Sequence, residues 1–195
     1  MTMHVESNER AGREAPAKPI ERVRQEVMRF VTAEAGFAQV YTVNRNGYPV
    51  GRTMVAPINE DWSVDLIQRA VHRRLGQLRR NPRIEIAWVG EPAADSVNDR
   101  PHVYDWGLQV PRVVFLRGVA EFMDDDWTVA RYQRQTAIQH AKGLTRAPAR
   151  APDNVRAELV GIQVRPVQIR VEGFGAGAQS FTWSMPGDPG CPTPR

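Results

Sequence analysis

The chain has 195 residues, 42% hydrophobic and 25% charged, with a formal net charge of +4 and a pI near 9.7. That is enough apolar material for one compact domain with its own core, and no run approaches the ~20 apolar residues of a helical membrane span. A single cysteine, Cys191, excludes an internal disulfide, and no Cys/His cluster has zinc-ligand spacing. The basic excess is arginine, much of it between Trp62 and Arg83, which suits a phosphorylated small molecule as well as nucleic acid.

Residues 1–17 are polar and without periodicity, so the composition predicts a disordered segment with no apolar run for a signal peptide. After Pro19, the residues Ile20, Val23, Val27, Phe30 and Val31 fall on one helical face, and Gly36 is expected to end that helix. Phe37 to Val43 reads as a first strand. Asn44-Arg45-Asn46-Gly47 signals a hairpin with two central residues at positive φ, and Tyr48 to Ile58 the return strand. Trp62, Val64 and Leu66 alternate with Ser63 and Asp65, predicting a third strand over 62–67 with one solvent face.

Arg73 to Arg80 then reads as a short helix stopped by Asn81-Pro82. Ile84 to Val89 alternates as a fourth strand, and residues 90–111 form a long excursion containing His102, Tyr104 and Trp106. Arg112 to Phe122 is a fifth strand. Asp124 to Asp126 cap a helix from about Trp127 to Lys142 that Gly143 closes. Residues 144–154 read as a linker and 158–171 as a final strand or strand pair interrupted at Pro166, with Gly173 to Gly177 and everything after Trp183 read as loop and tail. About six strands with turns between them predict a closed or partly closed barrel. The expected organisation is one domain over 18–183 and a flexible tail over 184–195. A soluble cytoplasmic protein is the default expectation.

The third strand and the helix after it make the functional proposition. A strand running into a helix start crowded with arginines offers free backbone N–H groups, a helix dipole and guanidinium forks, all favourable to phosphate. Arg73 and Arg74 are the candidates, while Arg79 and Arg80 read as solvated. Arg52 is a charge within an otherwise apolar strand and needs a partner or an opening. An ion pair with Asp65 is the plain alternative. His72 reads as a loop residue or phosphate neighbour, Trp62 and Trp88 as core. Neither a Ser-His-Asp grouping nor a Gly-rich phosphate loop can be defended from the spacing. Nucleic-acid binding ranks low because the arginines are not interleaved with stacking aromatics.

Asn46-Gly47-Tyr48-Pro49, Gly51-Arg52-Thr53-Met54-Val55, then Arg73-Arg74, Gln77-Leu78 and Asn81-Pro82, taken in order, resemble the FMN-binding split barrel of the pyridoxamine 5′-phosphate oxidase superfamily. The resemblance covers residues 37–122 and, weakly, the C-terminal strand. It implies a mainly β fold, a six-stranded antiparallel split β-barrel with flanking helices. It further implies that Arg52, Thr53, Met54 and Val55 line the isoalloxazine and ribityl chain, and that Gln68, Arg73, Arg74 and Gln77 surround the phosphate. A homodimer with FMN at the interface and a small-molecule substrate are implied with them. Two departures, Val113 where a glutamine is usual and Glu172 where an Arg-x-His pair would end, point away from pyridoxamine phosphate itself. The readings that follow are an FMN-dependent oxidoreductase, a reductase using 8-hydroxy-5-deazaflavin, or a non-catalytic flavin or haem binder, in each case with the cofactor supplying the chemistry.

Overall fold

The computed structural model describes residues 20–93, 97, 108–144, 146, 149–175 and 179–185. In chain order its elements are α1 (Ile20–Arg29, continued by a π-helical turn over Phe30–Glu34), β1 (Ala38–Val43), β2 (Pro49–Met54), β3 (Val64–Arg69), α2 (Arg73–Arg80), β4 (Arg83–Gly90), β5 (Arg112–Phe122), α3 (Asp125–Ala141), α4 (Pro152–Glu158), β6 (Leu159–Phe174) and β7 (Gln179–Ser184). The expected disordered N-terminus, the aromatic and histidine residues of the 90–111 excursion, and Cys191 lie outside the described residues.

All strand pairs are antiparallel and follow the order β2-β1-β4-β5-β6-β3, with β7 also on β6. β6 carries β3 along its first half and β7 along its second, on the edge opposite β5. A register shift at Arg117/Gly118, opposite Val167, turns the sheet there. The β2 and β3 ends of the path share no ladder, and this is the split in the barrel. The core lies inside, built from Val23, Val27 and Phe30 of the first helical segment and from Val40, Leu66, Leu78, Ile86, Leu116, Ile162 and Ile169.

Several expectations need correction. Six strands make the path, as expected, and Phe181 and Trp183 carry a seventh, short strand that pairs with β6 and packs on the core. Pro166 does not interrupt the last strand. β6 runs through it with the extra residue absorbed as a bulge, and Gly173 and Phe174 belong to it. Part of the expected linker folds as α4, begun by Pro152 and anchored by the buried Val155. The first helix ends at a C-cap on Ala35 rather than on Gly36.

The first hairpin is a longer turn: only Gly47 takes positive φ (82°), and the Asn44 side chain accepts from the backbone N–H groups of Asn46 (2.8 Å) and Tyr48 (3.0 Å). The return strand ends at Met54, and Ile58 adds only an isolated bridge to Val64. Trp62 stands in the turn before β3 at φ 68°, packed edge-on against Trp183 with ring centroids 5.4 Å apart. Lastly, β3 has no solvent face. Val64, Leu66 and Gln68 turn inward, while Asp65 and Ile67 are covered by α3 and α4, where Val129, Val155 and Leu159 make a second small core.

Candidate functional site: the split between the second and third strands

The gap between β2 and β3 is crossed by side chains instead of backbone hydrogen bonds. From β2 comes Met54, from β3 Gln68, and from the first turn of α2 comes Arg74. Gln68 Nε2 donates to Met54 Sδ at 3.3 Å, and Arg74 Nη1 donates to the same sulfur at 2.9 Å. A thioether is a weak acceptor. Gln68 is only 2% exposed, and Arg74 is half-buried with no carboxylate partner among the described residues. Burial first, and then the neighbouring Arg52, push the Arg74 pKa down from its ordinary value. Two strong donors therefore converge on a place where the described residues supply no strong acceptor.

His72 completes the cluster. It is the N-cap residue of α2 in extended conformation and makes no side-chain cap; its own N–H donates to Arg69 O and the Leu75 N–H to His72 O, which leaves the Arg73 and Arg74 N–H groups at the helix start. Its Nδ1 lies 3.3 Å from Gln68 Oε1. Burial, followed by Arg74, Arg69 and Arg52, lowers its pKa below 6.5. A neutral imidazole near three guanidiniums describes a positive field with no counter-charge among the described residues.

The predicted site residues divide. Arg52, Met54, Gln68 and Arg74 come together at the split. Arg52 makes no ion pair among the described residues, and the alternative pairing with Asp65 is overturned: Asp65 Oδ2 lies 3.3 Å from Arg131 Nε, on the far side of β3. Arg73 is exposed. Thr53 alternates to the other face of β2, where its hydroxyl accepts from Gln39 Nε2 at 2.7 Å, and Val55 is exposed just beyond the strand. Gln77 stands inside, one turn after Arg74, with its Oε1 bound by the buried Thr42 hydroxyl at 2.6 Å.

Sequence reasoning treated Arg73 and Arg74 as equals. The separating signal was present: Arg74 is four residues before Leu78 and next to Leu75, the two buried residues of α2, so it belongs to the inward face. The thioether as stand-in acceptor left no signal in the sequence.

The outer face of the same sheet is apolar and open. Tyr41, Val43, Pro49, Phe115, Val119 and Val167 line a cavity of about 880 Å³, crossed by the Glu85–Arg117 pair at 2.7 Å. The Tyr41 ring lies on Gly51, where an added Cβ would meet it at 2.8 Å. Phe37 and Tyr48 near this edge are 63% and 68% exposed.

No protein-family model matches the sequence, and no curated protein matches it. Solved structures do match. The chain is similar to a protein from Clostridium acetobutylicum related to general stress protein 26 of B. subtilis, of the pyridoxinephosphate oxidase family, with a TM-score of 0.54 and 12% identity over 86% of this chain and 97% of that one. It is similar to an F420 reductase, with a TM-score of 0.50 and 18% identity over 72% of this chain and 94% of that one. It is similar also to a haem-binding protein from Mycobacterium smegmatis, with a TM-score of 0.54 and 18% identity over 82% of this chain and 57% of that one. At such identities the likeness is one of fold. With its antiparallel strand order, its open seam between β2 and β3 and these neighbours, the chain has the split β-barrel fold of the pyridoxamine 5′-phosphate oxidase superfamily.

Proposed function

We propose that the protein is a flavin-binding oxidoreductase that holds the phosphate of FMN, or of an 8-hydroxy-5-deazaflavin, at the start of α2. The observation that carries this reading is the Arg74 guanidinium: half-buried, unpaired with any carboxylate among the described residues, and donating to a thioether for want of an anion. A phosphate dianion satisfies that donor, the Gln68 amide and the open N–H groups of the helix start together. Arg52 and His72 add to the field that draws it in. Met54, on moving off Arg74, is free to pack against a planar ring. When bound, the flavin supplies hydride transfer itself, and the chain binds, orients and excludes water.

A second copy of the chain is the proposed cover for the apolar outer face of β1, β2, β4 and β5, giving a homodimer. The exposed Tyr41, Tyr48 and Phe37 support it, since isolated soluble domains rarely leave such a patch open. Arg170, which would belong to a pyridoxamine-phosphate motif, is paired with Glu172 on β6 and is not offered to that substrate.

The test is the absorbance spectrum of the purified protein, followed by titration with FMN and with the deazaflavin, and by sedimentation. A yellow dimer, or saturable binding of either compound, is the expected result. Binding with no oxidation of a reduced nicotinamide or reduced deazaflavin would make it a carrier in place of an enzyme. Binding of neither compound would overturn the reading.

A further inference from the structure

Four methionines lie among the described residues, Met28, Met54, Met123 and Met185, and all four are partly buried. Exposure does not set Met54 apart from the others. Its neighbours do. Among the described residues its sulfur alone accepts from polar side chains, Arg74 Nη1 at 2.9 Å and Gln68 Nε2 at 3.3 Å. A thioether returns little to a guanidinium and an amide that packing has taken from water. A sulfoxide differs in kind, because its oxygen is a strong acceptor on a polar bond. Methionine's three rotatable bonds let the sulfur step back far enough to put such an oxygen before the same two donors.

We propose that Met54 is a redox modification site: a hydroperoxide converts its thioether to the sulfoxide, and the new oxygen takes the Arg74 and Gln68 donors and shuts phosphate out. In the reaction a sulfur lone pair attacks one peroxide oxygen and the O–O bond breaks. Sulfur gives up two electrons and the peroxide gains them. The departing hydroxide takes the proton of the transferred oxygen and, for hydrogen peroxide, leaves as water.

The capture follows from the two contacts alone, while its consequence rests on the phosphate reading of Arg74. Among apolar neighbours a sulfoxide disrupts packing and costs stability. Here it supplies the acceptor that two strong donors lack. Sulfoxide and phosphate then compete for one place, and by linkage each excludes the other.

The experiment treats the full chain with hydrogen peroxide and locates the added oxygen by peptide mass analysis. FMN affinity and denaturant unfolding are measured before and after, in the wild type, in Met54→Leu and in Arg74→Ala. Met54→Leu cannot take the oxygen and reports the effect of oxidation at every other methionine. Oxygen is expected at Met54, and wild-type FMN affinity should fall at least about tenfold, since the cofactor must displace a charge-assisted contact. Peroxide should leave the affinity of Met54→Leu at its own starting value. Oxidised wild-type protein should hold or gain stability relative to oxidised Met54→Leu, whereas in Arg74→Ala the same oxygen should lower it. No oxygen at Met54 when Met28, Met123 or Met185 is oxidised would overturn the proposal. So would an equal loss of affinity in the wild type and Met54→Leu, or equal unfolding shifts in the wild type and Arg74→Ala. Wild-type protein that binds no FMN even before peroxide would remove the flavin reading, and the unfolding comparison would then decide alone whether Arg74 holds the sulfoxide.

Discussion

Arg74 and Arg131 approach β3 from opposite sides, and among the described residues a carboxylate partner stands beside only Arg131. Arg131, on α3, places Nε 3.3 Å from Asp65 Oδ2 and lies over the Trp127 ring at 5.3 Å. Asp65 is 3% exposed and also faces the Gln163 amide at 3.4 Å. Arg74, on α2, has a thioether at 2.9 Å and another guanidinium for a neighbour. The first charge has its counter-charge in the sequence, so it fixes how α3 docks on the sheet. The second has none among the described residues, and that is the opening the proposed phosphate would fill.

Breaking the complete pair should have the largest effect. Asp65→Ala leaves Arg131 facing a polar hole under α3, and loss of one partner from a buried pair costs about 3 kcal/mol. Denaturant unfolding measures this, with FMN affinity of the folded fraction unchanged because the pair lies on the other side of the strand. A loss well below about 1 kcal/mol would place Asp65 among solvated charges and weaken the contrast.

Arg74→Ala should behave in the opposite way. Stability should hold or rise, since a half-buried charge without a partner is removed along with its repulsion from Arg52. FMN affinity should fall by roughly tenfold to a hundredfold, the worth of one charge-assisted contact to phosphate. Undiminished FMN affinity would move the phosphate elsewhere.

The contrast also marks what the sequence could disclose. The strands from Ala38 to Phe122 were legible because their apolar residues keep period two, and α2 because Asn81-Pro82 stops it. α4 was not, since seven residues with one buried side chain carry no periodic signal. β7 was hidden by its glycine-rich approach and by its shortness. Asp65 looked solvent-facing because alternation reports one covered face, and the second cover, α3, is a tertiary fact more than sixty residues away in the chain. At the candidate site, order and spacing of motifs singled out Arg52, Met54, Gln68 and Arg74, which the fold brings close together. The spacing to Leu75 and Leu78 hints at the inward Arg74, and packing makes its difference from the exposed Arg73 plain and shows the Thr53 hydroxyl engaged by Gln39.

His72 sharpens the comparison through pH. Burial and then Arg74, Arg69 and Arg52 hold its pKa below the ordinary 6.5. Just below pH 6.5 the unfolded chain binds this proton and the folded chain does not. The stability contributed by the neutral ring is therefore present above pH 6.5 and is lost as pH falls through the lowered folded value. A bound anion reverses part of the shift, so binding of sulfate, which does not titrate in this range, should take up a proton. Sulfate affinity should rise by about threefold to fivefold from pH 7.5 to 6, and His72→Asn should flatten that rise. An unchanged profile in the variant would assign the pH dependence to another group.

The smallest expected effect is the most pointed, because it separates adjacent residues of one type. Arg73 begins α2 beside Arg74 but is exposed, makes no ion pair among the described residues, and faces water that screens its charge. Arg73→Ala should lower FMN affinity by only about twofold to threefold, and raised salt should erase the difference, as it does for exposed charges. Arg74→Ala should keep most of its loss at high salt, because its guanidinium is removed from the solvent that does the screening. If instead Arg73 proved the costlier substitution, the inward face of α2 would not be the face that meets phosphate, and the thioether contact at 2.9 Å would be a packing detail with no anion behind it.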